Sequence, residues 1–316
     1  MKMIDENLLL PPRHAAFQKI LRVYGLKLHS FSIPPKGTKN TTAVVETDKG
    51  SFVLRVYAKS GRSDKRIARE LDFLSYLRQH GIPTPRMFPD QRGDLISKYK
   101  QGNIIWRCIL MEFLPGTHPK RYTKNRLRLL AETHAHIHLL GAAYAKAYPH
   151  VGPHLAVLRD DFFSPRLDIG TVKNTAVKKF LERGRQFSVS LHRNLPEGYT
   201  QLDYARGNIL LQRKKLTGIL DFDDLTYAPL VICLGYTVWN ALYSSDDIKK
   251  SHAYLAHYSR IRPPTASELL LLRDIMLLRN YAIGAMEVLL RGENQPLVRR
   301  MIKWEQLLLR HSVPSW

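Results

Sequence analysis

Two short apolar runs, Ile209–Gln212 and Thr217–Leu220, flank Arg213–Leu216 and are framed by side chains that carry oxygen. Two four-residue strands joined this closely can pair only as an antiparallel hairpin. In the expected register Gln212 faces Thr217 and Ile209 faces Leu220, and one step further Asn208 faces Asp221. Directly opposed residues hold their Cβ atoms about 5 Å apart. An amide oxygen and a carboxylate at that separation can share one Mg2+, a hard cation that prefers oxygen ligands and keeps some of its waters. Asp203 lies five residues before Asn208, in the loop that leads into the first strand, so a third oxygen-bearing group is expected near the same ion.

The charge distribution sharpens this reading. Lys and Arg total 49 against 27 Asp and Glu, a net charge of +22. Residues 1–200 hold 34 basic and 16 acidic residues, whereas residues 201–250 hold six of each. Four of those six acids, Asp203, Asp221, Asp223 and Asp224, fall within 22 residues. A carboxylate cluster inside a positive chain points to a divalent metal and a polyanion.

Composition excludes several classes. With 44% hydrophobic and 24% charged residues, the 316-residue chain is neither disordered, collagenous nor a disulfide scaffold. Its two cysteines, Cys108 and Cys233, are too few for a four-cysteine zinc site and fit a reducing cytosol. The N-terminus carries Asp5 and Glu6 and does not read as a signal peptide. No apolar run approaches the roughly 20 residues of a membrane span. A cytoplasmic protein with no membrane partner is expected.

The first half is mixed. Residues 41–47 and 51–57 read as a hairpin closed through Gly50, residues 64–80 as a helix stopped by Gly81 and Pro83, and 107–114 as a buried strand broken by Pro115-Gly116. A boundary is placed there, giving residues 1–114 and 115–316. Beyond it helices are expected at 123–146, 174–192, 231–245, 265–291 and 295–311, which makes the fold class α+β. Glu70 lies on the apolar stripe of its helix with Ile67 and Leu74, and a carboxylate there needs a partner. Arg55, a charge in the middle of a strand, is the candidate.

Asp, four residues, Asn, a strand pair and then Asp-Phe-Asp is the spacing of kinase-type phosphoryl transfer, in which an Asp orients the acceptor hydroxyl while Asn and a later Asp hold metal. The stretch Gln201-Leu202-Asp203-Tyr204-Ala205-Arg206-Gly207-Asn208-Ile209-Leu210, followed by Gly218-Ile219-Leu220-Asp221-Phe222-Asp223-Asp224, resembles the aminoglycoside phosphotransferase and choline/homoserine kinase superfamily. Gly37–Asn40 resembles that family's nucleotide loop, Phe52–Arg55 its third strand, Met111–Gly116 its hinge and Leu130–His134 the helix after the hinge.

The resemblance implies a two-lobed protein-kinase-like fold, with a small antiparallel-sheet N-lobe that binds nucleotide and a mostly helical C-lobe. It implies ATP or GTP with Mg2+ and a small-molecule hydroxyl acceptor. Asn40, Arg55, Glu70, Glu112, Phe113 and Leu114 would then serve the nucleotide, which would lie between the lobes with its base against Glu112–Leu114. Asp203 would be the catalytic base, with Asn208 and Asp221 on the metal. Two positions depart from the family: Gln201 stands where His is usual, and Cys233 where Asp is frequent.

Blander readings stand beside these. Asp and Asn favour turns and caps, and Arg55 with Glu70 can be a structural ion pair. Asp223 and Asp224 read as structural. Of His134, His136 and His138 the first and last sit one helical turn apart, but no acid completes a metal site with them. Arg62, Lys65, Arg66 and Arg69, and the run Lys120, Arg121, Lys124, Arg126 and Arg128, are either a solvated surface or a nucleic-acid contact. Without a nucleic-acid-binding motif, the rival to a small-molecule kinase is a non-catalytic kinase-like basic module that binds nucleic acid or a protein.

Overall fold

Residues 40–47 turn Thr41, Ala43, Val45 and Thr47 inward and leave the alternate positions more open. This is the period-two pattern of a strand with one covered face. The computed structural model describes residues 14–34, 40–57, 63–101, 103–149, 155, 157–158 and 167–310. Gly37, Thr38, Lys39 and Arg62, on which sequence expectations fall, lie outside the described residues.

In chain order, helix α1 (His14–Arg22) precedes strands β1 (Leu28–Ser32), β2 (Asn40–Thr47) and β3 (Gly50–Tyr57). Helix α2 (Asp64–Gln79) leads to β4 (Met87–Phe88), β5 (Ser97–Gln101) and β6 (Ile104–Glu112). Then come α3 (Lys124–Ala147), β7 (Val157–Leu158), α4 (Thr175–Gln186), β8 (Val189–Ser190) and β9 (Glu197–Gln201). Strands β10 (Ile209–Gln212), β11 (Lys215–Ile219) and β12 (Leu225–Pro229) precede helices α5 (Leu230–Ser245), α6 (Ile248–Ser259), α7 (Ala266–Arg291) and α8 (Pro296–Arg310). Among the described residues no helix is long and apolar enough to cross a membrane.

The chain separates into two compact units. One holds Lys2–His118 with Ile209–Phe222, and the other Pro119–Asn208 with Asp223–Trp316. The hairpin β10–β11 therefore groups with the N-terminal residues, beside an expected boundary at 114/115.

In the first unit the sheet order is β1-β2-β3-β6-β4, with β5 also on β6, and every pairing is antiparallel. Phe17, Ile20 and Leu21 of α1 pack into one core with Ala43, Val45, Leu54, Val56 and Leu110 of the sheet. Helix α2 starts where the Ser63 hydroxyl accepts the Arg66 N–H. It buries Ile67, Glu70, Leu71, Leu74 and Leu77, a stripe at helical spacing that carries one acid.

The hairpin corrects the expected register. The ladder pairs Ile209 with Ile219 and Leu210 with Gly218, then Leu211 with Leu216 and Gln212 with Lys215. The turn is therefore two residues long, opened by Arg213 at φ 56°, and Thr217 is the extra residue of a bulge. The pairs Gln212–Thr217, Ile209–Leu220 and Asn208–Asp221 are not rungs of this ladder. The displaced Thr217 has a use, since its hydroxyl donates to the Pro115 carbonyl at 2.6 Å.

The second unit is built on α5, which has no charged side chain and is buried from Leu230 to Leu242. Helices α6 and α7 pack against it, and α3 packs against α6. Two helices depart from expectation. Helix α4 stops at Gln186, because residues 189–190 form β8 and pair with β7. Helix α6 was not anticipated, its four buried residues being spread among polar ones.

Helix α3 lies almost against β9. A Cβ at Gly141 would stand 2.0 Å from the Tyr199 carbonyl oxygen, and one at Gly198 would stand 2.8 Å from the Ala142 nitrogen. This close approach holds the strand that delivers Asp203. Gly141→Ala must push strand and helix apart, and we expect a loss of about 3 kcal/mol of stability, or failure to accumulate folded protein. Urea unfolding followed by circular dichroism measures it.

Candidate active site

Arg55 stands in the centre of the sheet, opposite Thr42 on β2 and Ile109 on β6. Its Nη1 lies 3.5 Å from Glu70 Oε1 and its Nη2 3.7 Å from Asp221 Oδ1. The Tyr57 hydroxyl, two residues along the same face of β3, reaches the same Glu70 oxygen at 3.5 Å. Glu70 is 1% exposed, and a carboxylate that deep is tolerated only when paired. The Asp221 carboxylate is about half exposed. One guanidinium thus faces a buried acid and an open one.

Arg55, Glu70 and Asp221 line a cavity of about 290 Å3 whose other walls are largely apolar. Val44 and Val53 come from the sheet, Met111–Leu114 from the end of β6 and the two residues after it, and Leu210 and Ile219 from the hairpin. All of its lining residues belong to the first unit. The hairpin is fixed there by paired backbone hydrogen bonds of 2.9 Å between Thr117 and Leu211, and by Ile219 N–H donating to the Pro83 carbonyl at 2.8 Å. Gly116 has φ 144°, and a Cβ on it would meet Thr217 Oγ1 at 2.6 Å, so only glycine fits the crossing. After Asp221, itself left-handed at φ 61°, the buried Phe222 ring packs edge-on against Phe73 of α2. Glu112 is held by Arg78 at 2.9 Å and accepts the Arg86 N–H. Asn40 opens β2 opposite Tyr57 and is not among the residues that line the cavity.

In the second unit Asp203 sits in the loop after β9. Asn208 donates its side-chain N–H to the Asp203 carbonyl at 2.9 Å and to Oδ2 at 3.1 Å. This leaves the Asn208 Oδ1 as an acceptor. Arg279 on α7 places Nη2 3.7 Å from Asp203 Oδ1. Asp223, in the turn before β12, is buried.

Residues on either side of Asp203 are braced from below. The Cys233 thiol, pushed up to about 12 by burial and so protonated, donates to the Gln201 carbonyl at 2.7 Å. His134 Nε2 lies 3.2 Å from that sulfur, and the His134 ring stacks on Tyr204 at 4.7 Å. The Tyr204 hydroxyl in turn donates to the Leu130 carbonyl. The residues at the two departures from the family, Gln201 and Cys233, thus bond to each other. His134, His138 and Cys233 bring their ligand-type atoms within 4.8 Å. Both His138 nitrogens already face hydroxyls, Tyr258 at 2.6 Å and Thr200 at 3.0 Å, and His134 Nδ1 faces Tyr254 at 3.1 Å. The cluster is accounted for as a hydrogen-bonded core.

Arg279 and the His134–Cys233 brace escaped the sequence reading. Arg279 had one signal, a lone cation in the otherwise uncharged run Ile275–Met286. The brace had none, because its members lie about a hundred residues apart.

The model of a family described as "Phosphotransferase enzyme family" matches residues 30–269. A homoserine kinase of Caulobacter sp. (strain K31) is 28% identical over 243 residues, 74% of this chain and 72% of its own. One from Bradyrhizobium diazoefficiens is 25% identical over 257 residues, 77% and 73% of the two chains. Among solved structures, a microcompartment-associated aminopropanol kinase superposes with a TM-score of 0.70 at 17% identity, covering 94% of this chain and 95% of its own. An amicoumacin kinase in complex with AMP-PNP, Ca2+ and Ami gives 0.67 at 16% identity and 96% of both chains. At these identities the structures establish the protein-kinase-like fold.

Burial holds the His134 imidazole down to about 3 and pushes His138 well below its usual value of 6.5. In the unfolded chain both regain a value near 6.5, so below that pH the unfolded state takes up protons that the folded state refuses. Stability is therefore complete above the unfolded value and declines as pH falls. We expect each histidine to remove about 1 kcal/mol by a pH of about 5.5. Urea midpoints at two pH values should show a smaller acid loss in His134→Gln than in the unaltered protein.

Proposed function

This chain belongs to the phosphotransferase enzyme family and is a small-molecule kinase, and from that premise we propose that it transfers the γ-phosphoryl group of ATP, or GTP, to a hydroxyl of a small acceptor. The observation that carries the proposal is the single cavity onto which Arg55, Glu70, Asp221 and Glu112–Leu114 converge. Apolar walls suit a purine base, and Glu112–Leu114, which line the cavity, are assigned to its edge. Arg55, steadied by buried Glu70, presents a planar fork to phosphate oxygens. Asn40 is assigned to the nucleotide by its place at the start of β2.

Oxygen donors suited to Mg2+ are present on Asp221 and Asn208. The first is an open carboxylate, and the second spends its N–H on Asp203 and keeps its carbonyl oxygen. When bound, the ion would offset charge on the phosphates. The protein's own contribution is positional. Asp203 accepts the acceptor's hydroxyl proton and orients its oxygen towards the phosphorus. Asn208 fixes the rotamer of Asp203, and the Cys233–Gln201 and His134–Tyr204 contacts hold the loop that carries it. The Gln201 departure is compatible with this function because the thiol of Cys233 reaches the Gln201 backbone carbonyl. We place the enzyme in the cytoplasm, where its two buried cysteines stay reduced.

Asp203→Ala should lower kcat by about 10²–10⁴-fold while the nucleotide dissociation constant stays unchanged. Thermal stabilisation by ATP should require Mg2+ and should weaken in Asp221→Ala. Wild-type kcat in Asp203→Ala, or ATP stabilisation indifferent to Mg2+, would remove the assignment.

A further inference from the structure

We propose that Arg279 reads an anionic group on the acceptor, so that the substrate is a small hydroxy acid. This rests on the phosphotransferase reading above and names its substrate class.

Arg279 occupies a built setting. Its guanidinium lies over the Tyr236 ring at 4.8 Å, its Nη2 is 3.7 Å from Asp203 Oδ1, and its side chain is 17% exposed. Its Nε is buried and has no hydrogen-bond partner. Asn240 lies one helical turn from Tyr236 on the same face of α5. It is 7% exposed, and its Nδ2 is likewise buried without a partner. Beyond Arg279 the same face of α7 continues through Ile283 and Met286, both partly open. The unmet hydrogen-bonding capacity at this wall is therefore donor capacity, and a buried donor left unmet costs free energy. A ligand rich in acceptor oxygens satisfies it, whereas an ammonium group would add only donors beside a fixed cation.

Distance sets the size. Asp203 must touch the reacting hydroxyl and Arg279 the anion. With hydrogen bonds of about 2.8 Å at each end and only 3.7 Å between the two side chains, about two to four carbons separate hydroxyl from anion. A planar carboxylate matches the guanidinium fork in two parallel bonds, and a phosphate monoester offers the same chemistry.

Matched pairs test this. ADP release is measured with L-homoserine against L-homoserinamide, 3-hydroxypropanoate against its amide, and glycerol 3-phosphate against glycerol. Binding of each is measured in parallel by calorimetry with Mg2+ and AMP-PNP present. The unaltered enzyme should favour an acid over its neutral partner by about tenfold to a hundredfold. Arg279→Gln should erase that preference and Arg279→Lys should keep part of it. Nucleotide affinity, read at a cavity in the other unit, should be unchanged in both variants, which shows that they are folded. A preference confined to glycerol 3-phosphate assigns the anion as phosphate, and one confined to the acids assigns it as carboxylate. Equal use of acid and amide, or a preference that survives in Arg279→Gln, overturns the inference. Turnover confined to neutral alcohols also overturns it and leaves the kinase function standing. Absence of turnover with ATP unable to bind strikes the kinase reading itself, and calorimetry of acid against amide still decides the role of Arg279.

Discussion

Paired hydrogen bonds between Thr117 and Leu211 hold the cavity around Arg55 together. They fasten a hairpin from the second half of the chain to the segment that follows β6, across a glycine that nothing larger can replace. Once β10 and β11 are fixed there, Leu210 and Ile219 complete a mostly apolar cavity and Asp221 is carried to Arg55. The bulge belongs to the same arrangement. By displacing Thr217 from the ladder it frees a hydroxyl for the Pro115 carbonyl, so the departure from a regular hairpin strengthens its attachment.

A second constraint acts on Asp203. The acid is partly exposed, yet its neighbours Gln201 and Tyr204 are almost wholly buried. Cys233 bonds to one, and His134 stacks on the other. Both bracing groups stay uncharged, the thiol because burial raises it and the imidazole because burial lowers it. An electrically neutral support leaves the field at Asp203 to Arg279 and to whatever binds beside it. The basic excess has no comparable organisation. Lys65, Arg66, Lys120, Arg121, Lys124 and Arg128 are exposed on helix starts and loops, as solvated surface residues usually are.

Much of this was legible because it is local. The helix 64–80, the strand pair around Gly50, and the Asp203-to-Asp221 spacing each express a periodicity or motif within a few tens of residues. Glu70 announced itself as an acid on an apolar stripe, and Arg55 as a charge in a strand. The hairpin register was misread because a two-residue turn with a bulge and a four-residue turn without one use the same residues. Nothing in the order of residues prefers one until Pro115 supplies an acceptor for Thr217. Helix α6 was missed because its apolar positions are few, and they become a buried face only when α3 and α5 are there to cover them.

By itself, then, the order of amino acids determined the class of chemistry, an acid, an amide and a second acid at kinase spacing, along with most of the elements that bear them. Tertiary structure alone decided that Asp221 shares the arginine of Glu70, that a thiol and an imidazole support the loop of Asp203, and that Arg279 stands beside it. The physical reason is range. Backbone periodicity and turn chemistry act over a few residues and can be read from the chain, whereas the partners of a buried charge are chosen by packing between segments up to a hundred and more residues apart.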